Sequence, residues 1–174
     1  MTTKSKGESV RQKLTLLSKK MGVQYKNIET LFMIERLVAR LMTDKTLARH
    51  LVFKGGFVGI KIYESPRYTV DLDALLVKEN IDDTLKIVKE NAEKDLDDGV
   101  WFRFESQVNL ATQGEYGGIR HSYRASIGEV LKDLKRAQVV HFDLGIGDPI
   151  TPGPQQKQTP SLLSGNDEIS WSVY

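Results

Sequence analysis

Two stretches far apart in the chain, Thr69 to Val77, which turns fully apolar after Asp73, and Val139 to Ile146, alternate apolar with polar residues and carry carboxylates at polar positions. Successive side chains of a strand point to opposite faces. The first stretch is therefore predicted to place Val70, Leu72 and Ala74 on one face and Thr69, Asp71 and Asp73 on the other; the second places His141, Asp143 and Gly145 together. A carboxylate flanked by Val140, Phe142, Leu144 and Ile146 must have a partner or an ion. If the two strands lie side by side, Asp143 joins Asp71 and Asp73. Three such groups repel and raise each other's pKa unless a cation neutralises them. Magnesium suits, because it takes one or two carboxylates together with substrate phosphate oxygens.

The remaining sequence bounds the fold class. A chain of 174 residues is about one domain's worth at ~100 to 200 residues per domain. With 40% apolar and 28% charged residues it can fill a core. Having no Cys, it cannot use disulfides, thiolate-bound zinc, iron–sulfur ligation or a cysteine nucleophile. It shows neither an apolar run of signal-peptide length nor ~18 consecutive apolar residues, so a cytoplasmic protein with no membrane partner is expected. The first 26 residues hold Lys4, Lys6, Arg11, Lys13, Lys19, Lys20 and Lys26 against Glu8, a net charge of +6. Such a segment attracts phosphates, and it serves equally as a solvated helix face.

Apolar spacing predicts amphipathic helices over 8–20 and 27–50, broken at Met21-Gly22-Val23, and a further helix over 81–94. Strands are expected at 100–110 and 118–127, with a turn at 114–118 and a short charged excursion over 129–137. Trp101, Phe102 and Phe104 read as core. Beyond Asp148-Pro149 the residues are those of loops until strand-like alternation returns over 168–174. Residues 1–50 are thus expected as helices packed on a core formed by 51–174. His50, His121 and His141 lack metal-ligand spacing.

Leu51-Val52-Phe53-Lys54-Gly55-Gly56 runs an apolar stub into paired glycines ahead of a helical stretch over 57–63. Glycine keeps Cβ atoms away from an anion, and amides opening a helix point at a phosphate. Lys54, Lys61 and Arg67 are cations near enough in sequence to offset phosphate charge. Arg120 and Arg124 could reach phosphate or RNA, or could be outward-facing strand charges.

Phe53-Lys54-Gly55-Gly56, Arg67-Tyr68-Thr69-Val70-Asp71-Leu72-Asp73 and the run from His141 to Pro154, in that order, resemble the AbiEii-type nucleotidyltransferase family of toxin–antitoxin and abortive-infection systems. The resemblance extends from about Phe32 to the end of the chain. It implies an α+β fold with a polymerase-β-like core, a mixed and mainly antiparallel sheet flanked by helices. It further implies that Gly55 and Gly56, with Lys54, Arg67 and Thr69, hold a nucleoside triphosphate, and that Asp71, Asp73 and Asp143 bind metal and form the catalytic triad. The cofactor would be two Mg²⁺ ions, with Mn²⁺ as the substitute. The reaction implied is transfer of a nucleoside monophosphate to an RNA or protein hydroxyl, by a toxin restrained by a cognate antitoxin. Many nucleotidyltransferases carry Ser where this chain has Gly56. Members of the family also continue beyond the equivalent of Tyr174 into a helical region with a lysine and a further aspartate motif. A non-catalytic nucleotide- or RNA-binding module of the same fold, and a D-x-D glycosyltransferase, are the competing readings.

Overall fold

The computed structural model describes residues 2–64, 68–110, 117–146 and 153–174. Helix α1 (Thr3–Met21) starts where the Thr2 hydroxyl accepts from the Ser5 amide and ends at Gly22, whose φ of 67° is the left-handed stop that glycine adopts freely. Its charge does not make it a loose arm. Val10 and Leu14 are buried, Gly7 packs directly against Gly128, and Arg11 donates to the Ile127 carbonyl. Lys4, Lys13, Lys19 and Lys20 remain exposed.

The single helix expected over 27–50 is two helices, α2 (Tyr25–Leu41) and α3 (Lys45–His50). Asp44 causes the break: its side chain accepts from the Leu47 amide and opens a new helix. Helix α2 is buried on nearly every side, including Glu35, Arg36 and Arg40. Arg40, wholly buried, donates to both oxygens of Asp98 at 2.7 and 2.9 Å and to the Val100 carbonyl, while Arg36 reaches Asp98 at 2.7 Å. Glu35 accepts from Lys61 at 2.7 Å and from the Leu162 amide at 2.9 Å, tying α2 to the chain near the C-terminus.

Strand β1 (Leu51–Lys54) leads directly into α4 (Gly55–Tyr63), so the paired glycines are the first helical residues rather than a separate turn. Next come β2 (Asp71–Leu76), α5 (Ile81–Ala92), β3 (Val100–Leu110), β4 (Gly118–Ile127), a 3-10 turn at Leu134–Arg136, β5 (Gln138–Ile146), β6 (Gln155–Thr159) and β7 (Ile169–Val173). The seven strands form one sheet in the order β3-β4-β5-β2-β1-β7-β6. Two pairings, β2 with β5 and β1 with β7, are parallel; the other four are antiparallel. The fold is therefore a mixed, mainly antiparallel sheet with helices. Strand β6, expected as loop, is an edge strand: among the described residues it pairs only with β7, so its glutamines need no apolar alternation. The turn expected at 114–118 begins outside the described residues.

One face of the sheet, with Leu72, Ala74, Phe142, Leu144, Tyr123 and Ala125, is buried in a core shared with Leu14, Phe32, Leu37 and Val88 of the helices. Phe53 and Phe57 pack on Trp171 at ring-centroid distances of 5.5 and 5.6 Å, joining β1 and α4 to β7. Trp101 and Phe102 are buried as expected, whereas Val70, ahead of its strand, is exposed. On the opposite face of β2, Asp71, Asp73 and Leu75 are only half-buried. Among the described residues no helix is long and apolar enough to cross a membrane.

Candidate active site

The register of the central strands assembles the polar face. Asp73 of β2 lies beside Asp143 of β5 and Lys54 of β1, and Asp143 lies beside Arg120 of β4. Residues in register on neighbouring strands share a face, so Arg120, Asp143, Asp73 and Lys54 form one row across four strands. The adjacent row holds Ser122, His141 and Asp71, with the Ser122 hydroxyl and His141 Nδ1 2.9 Å apart. The three carboxylates are thus brought together from two strands that the chain places some seventy residues apart.

Arg120 dominates their electrostatics. Its Nε and Nη2 donate to the two oxygens of Asp143, each at 2.7 Å, and Nη2 stands 3.8 Å from Asp71. This two-pronged bond, with the charges of Asp143, Asp71 and Asp73 and against the opposing effect of burial, leaves the guanidinium still harder to deprotonate than usual. Among the described residues Asp73 has no such partner. Burial, then the charges of Asp143 and Asp71, push its pKa up, and Lys54 and Arg120 only partly oppose the rise. Among the described residues, Asp71 Oδ1 is buried with no hydrogen-bond partner. As the side chains stand, no three acidic or histidine groups among the described residues close around a common point as a metal cage would, and Arg120 occupies Asp143.

The opening of α4 is built against this row. Gly55 has φ of 80°, and a Cβ there would lie 2.6 Å from Asp73 Oδ2, so both conformation and space demand glycine. Lys54 precedes the helix without a side-chain cap, leaving the first amides of α4 free to bind an anion. Gly56 has a further reason to be glycine: a Cβ there would meet Thr69 Cβ at 3.1 Å. The Thr69 hydroxyl donates to the Asp71 carbonyl at 3.0 Å and accepts from the Asp71 amide at 3.3 Å, which fixes the entry to β2. Lys61 does not join the site: it donates to Glu35 and to the Pro160 carbonyl. Arg67 and residues 147–152 lie outside the described residues.

A cleft of about 230 Å³ opens beside Lys54, Asp73 and Asp143. A larger one, about 570 Å³ and lined by Lys6, Arg36, Asp97 and Glu168 among others, shares no residue with it. Ser122 was missing from the expected site, and Arg120 was left open between a phosphate or RNA contact and an outward-facing strand charge. The signal was present in the alternation of Gly118, Arg120, Ser122 and Arg124 along β4, but only the pairing of β4 with β5 shows that this face meets the carboxylates.

Comparison with known proteins gives a family and two distant structures. The model of a family described as nucleotidyl transferase AbiEii toxin, of a type IV toxin–antitoxin system, matches residues 36–174. A crystal structure of a candidate nucleotidyltransferase from H. pylori is 15% identical with a TM-score of 0.46, covering 87% of this chain and 54% of that one. The crystal structure of JHP933 from Helicobacter pylori is 17% identical with a TM-score of 0.43, covering 80% of this chain and 48% of that one. The chain thus spans about half the length of these structures. No curated protein matches it.

Proposed function

The chain belongs to the AbiEii nucleotidyltransferase toxin family of type IV toxin–antitoxin systems, and on that premise we propose that it transfers a nucleoside monophosphate from a nucleoside triphosphate to an RNA hydroxyl. The observation carrying the proposal is the joint between Asp73 and Gly55, where an uncapped helix start and a row of carboxylates meet on one open sheet face. In the reaction a hydroxyl oxygen of the acceptor bonds to the α-phosphorus, the bond from that phosphorus to the bridging oxygen breaks, and pyrophosphate leaves. Amides at the start of α4 and the Lys54 ammonium bind the triphosphate oxygens. Asp143 accepts the proton of the attacking hydroxyl, a role for a carboxylate within hydrogen-bond reach of it.

The residues fit divalent magnesium. Asp71 offers a buried oxygen with no other partner among the described residues, and Asp73 carries a charge that its neighbours oppose. These two would hold the metal, with Asp143 as third ligand once Arg120 turns from it to phosphate. Bound there, the ion would offset negative charge on the reacting phosphoryl oxygens. The exposed lysines of α1 supply a salt-sensitive attraction for RNA, and a cognate antitoxin is the expected protein partner.

Calorimetric titration of the four nucleoside triphosphates, in Mg²⁺ and in EDTA, tests the site. Mg²⁺-dependent binding weakened by both Asp71→Asn and Asp143→Asn is expected, followed by transfer of label from an α-labelled triphosphate to RNA. Binding that is indifferent to both substitutions rejects the site. Binding without transfer, to RNA or to protein, assigns the chain to a non-catalytic module instead.

A further inference from the structure

The row of residues next to the carboxylates is unusual for the middle of a sheet. In register across four strands stand Leu110 of β3, Gly118 of β4, Gly145 of β5 and Leu75 of β2. Two glycines are therefore side by side on the open face, one two-residue step, about 7 Å, from Arg120, Asp143 and Asp73. Glycine weakens a strand interior, and where it persists it often marks a bulge or a close approach by a ligand or another backbone. No bulge is present: the pairing of β4 with β5 runs without a shift from Gly118 to Ala125. Neither glycine has the positive φ of Gly55. Among the described residues a Cβ at Gly118 would find only ordinary contacts, at 3.5 Å to Leu110 Cδ1 and to the Leu144 carbonyl oxygen. One at Gly145 would meet only the flexible tip of Leu75 closely, at 3.1 Å. Packing against the described residues thus does not require glycine at position 118, and at 145 it asks little.

The two glycines form the floor of the cleft of about 230 Å³, and Leu75 and Leu110 form its apolar sides. Bare strand backbone between two leucines offers a flat surface without side-chain donors or acceptors, which suits the face of a planar ring. We infer that the Gly118–Gly145 shelf seats a nucleobase, held by stacking on backbone between Leu75 and Leu110, one ribose away from the reacting phosphate. The base comes either from the incoming triphosphate or from the end of an RNA acceptor. The inference rests on the proposed function and adds to it the place where the nucleoside is held.

The test uses Gly118→Ala and Gly118→Val in the full chain, with thermal melting as a check of folding. Mg²⁺-nucleoside triphosphates, Mg²⁺-tripolyphosphate and a short single-stranded RNA are titrated separately. The shelf predicts melting temperatures equal to or above wild type for Gly118→Ala. It also predicts at least tenfold weaker binding of one base-bearing ligand by Gly118→Val, with tripolyphosphate binding unchanged. Loss confined to the triphosphates assigns the shelf to the incoming base, and loss confined to RNA assigns it to the acceptor. If Gly118→Ala melts lower and Gly118→Val binds every ligand as wild type does, the glycine is structural and the shelf is wrong. If wild type binds tripolyphosphate and nucleotide equally well and Gly118→Val binds RNA as wild type does, the shelf alone falls; if wild type binds none of the three ligands, the nucleotidyltransferase site falls with it.

Discussion

Replacing Asp73 by Asn should make the ligand-free protein more stable while destroying its binding of Mg²⁺-nucleotide. Asp73 sits one strand spacing, about 5 Å, from Asp143. At an effective dielectric of about 20, two unit charges at that distance repel by ~3 kcal/mol. Lys54, in register on the other side, and Arg120 remove much of this. Like charges facing each other across strands cost roughly 0.2 to 1 kcal/mol in practice. Burial of Asp73 adds to the cost, so a gain of about 1 kcal/mol is expected, or ~2 to 4 °C in Tm for a chain of this size. The sign with pH follows from proton binding. Because the folded protein raises the pKa of Asp73 above its ordinary 3.8, it binds more protons here than the unfolded chain does. Stability is therefore lost as pH rises above that value. The advantage of Asn should be full at pH 7.5 and shrink toward pH 4.5. Melting curves in EDTA at both pH values measure it. A variant that melts at or below wild type at pH 7.5, or whose advantage is the same at both, would refute the picture of Asp73 as a carboxylate awaiting a cation.

Three other substitutions probe the frame around the site. Gly55→Ala forces a side chain into a left-handed backbone and against Asp73, which should cost ~1 to 2 kcal/mol and be visible as a lower melting temperature and weaker triphosphate binding. Asp98→Asn leaves Arg40 buried without its counter-charge and removes the closer of two from Arg36, at a cost of about 3 to 5 kcal/mol by denaturant titration at pH 7. Burial would raise the pKa of Asp98, but Arg40 and Arg36 hold it below its ordinary value, so its contribution is present above pH 3.8 and lost as pH falls through the depressed value; the gap between variant and wild type should narrow in acid. His121 is pushed down to about 4 by burial and by Lys89. From pH 6.5 toward 4 the unfolded chain therefore takes up a proton that the folded one refuses, and stability should fall by at most ~1.4 kcal/mol per pH unit. His121→Phe should flatten that slope, and an unchanged slope would show that another group sets it.

What the sequence determined by itself is what period-two alternation and local backbone chemistry can carry. Asp71 with Asp73, and His141 with Asp143, had to share strand faces, because each pair is separated by one residue. The glycines at 55 and 56 had to mark a sharp change of direction between an apolar stub and a helical stretch, though that they are themselves the first residues of α4 came only with the structure. Facts that depend on which strands become neighbours were not legible. The sequence left it open whether β5 lies beside β2, and it is the parallel register of Asp73 with Asp143 that turns two motifs into one row. Arg120 looked like any alternating strand charge until β4 was placed against β5, where its guanidinium takes both oxygens of Asp143. Lys61, close in sequence to the glycines, was drawn away by Glu35, a buried carboxylate on α2 that needs it. The three histidines were alike on paper, yet His121 faces the core and His141 the open face. Strand β6 carries no alternation because an edge strand of glutamines has little to bury. Alternation is a property of adjacent residues, whereas register and ion pairing are settled by burying one face of a sheet assembled from distant segments, and that choice is made only in three dimensions.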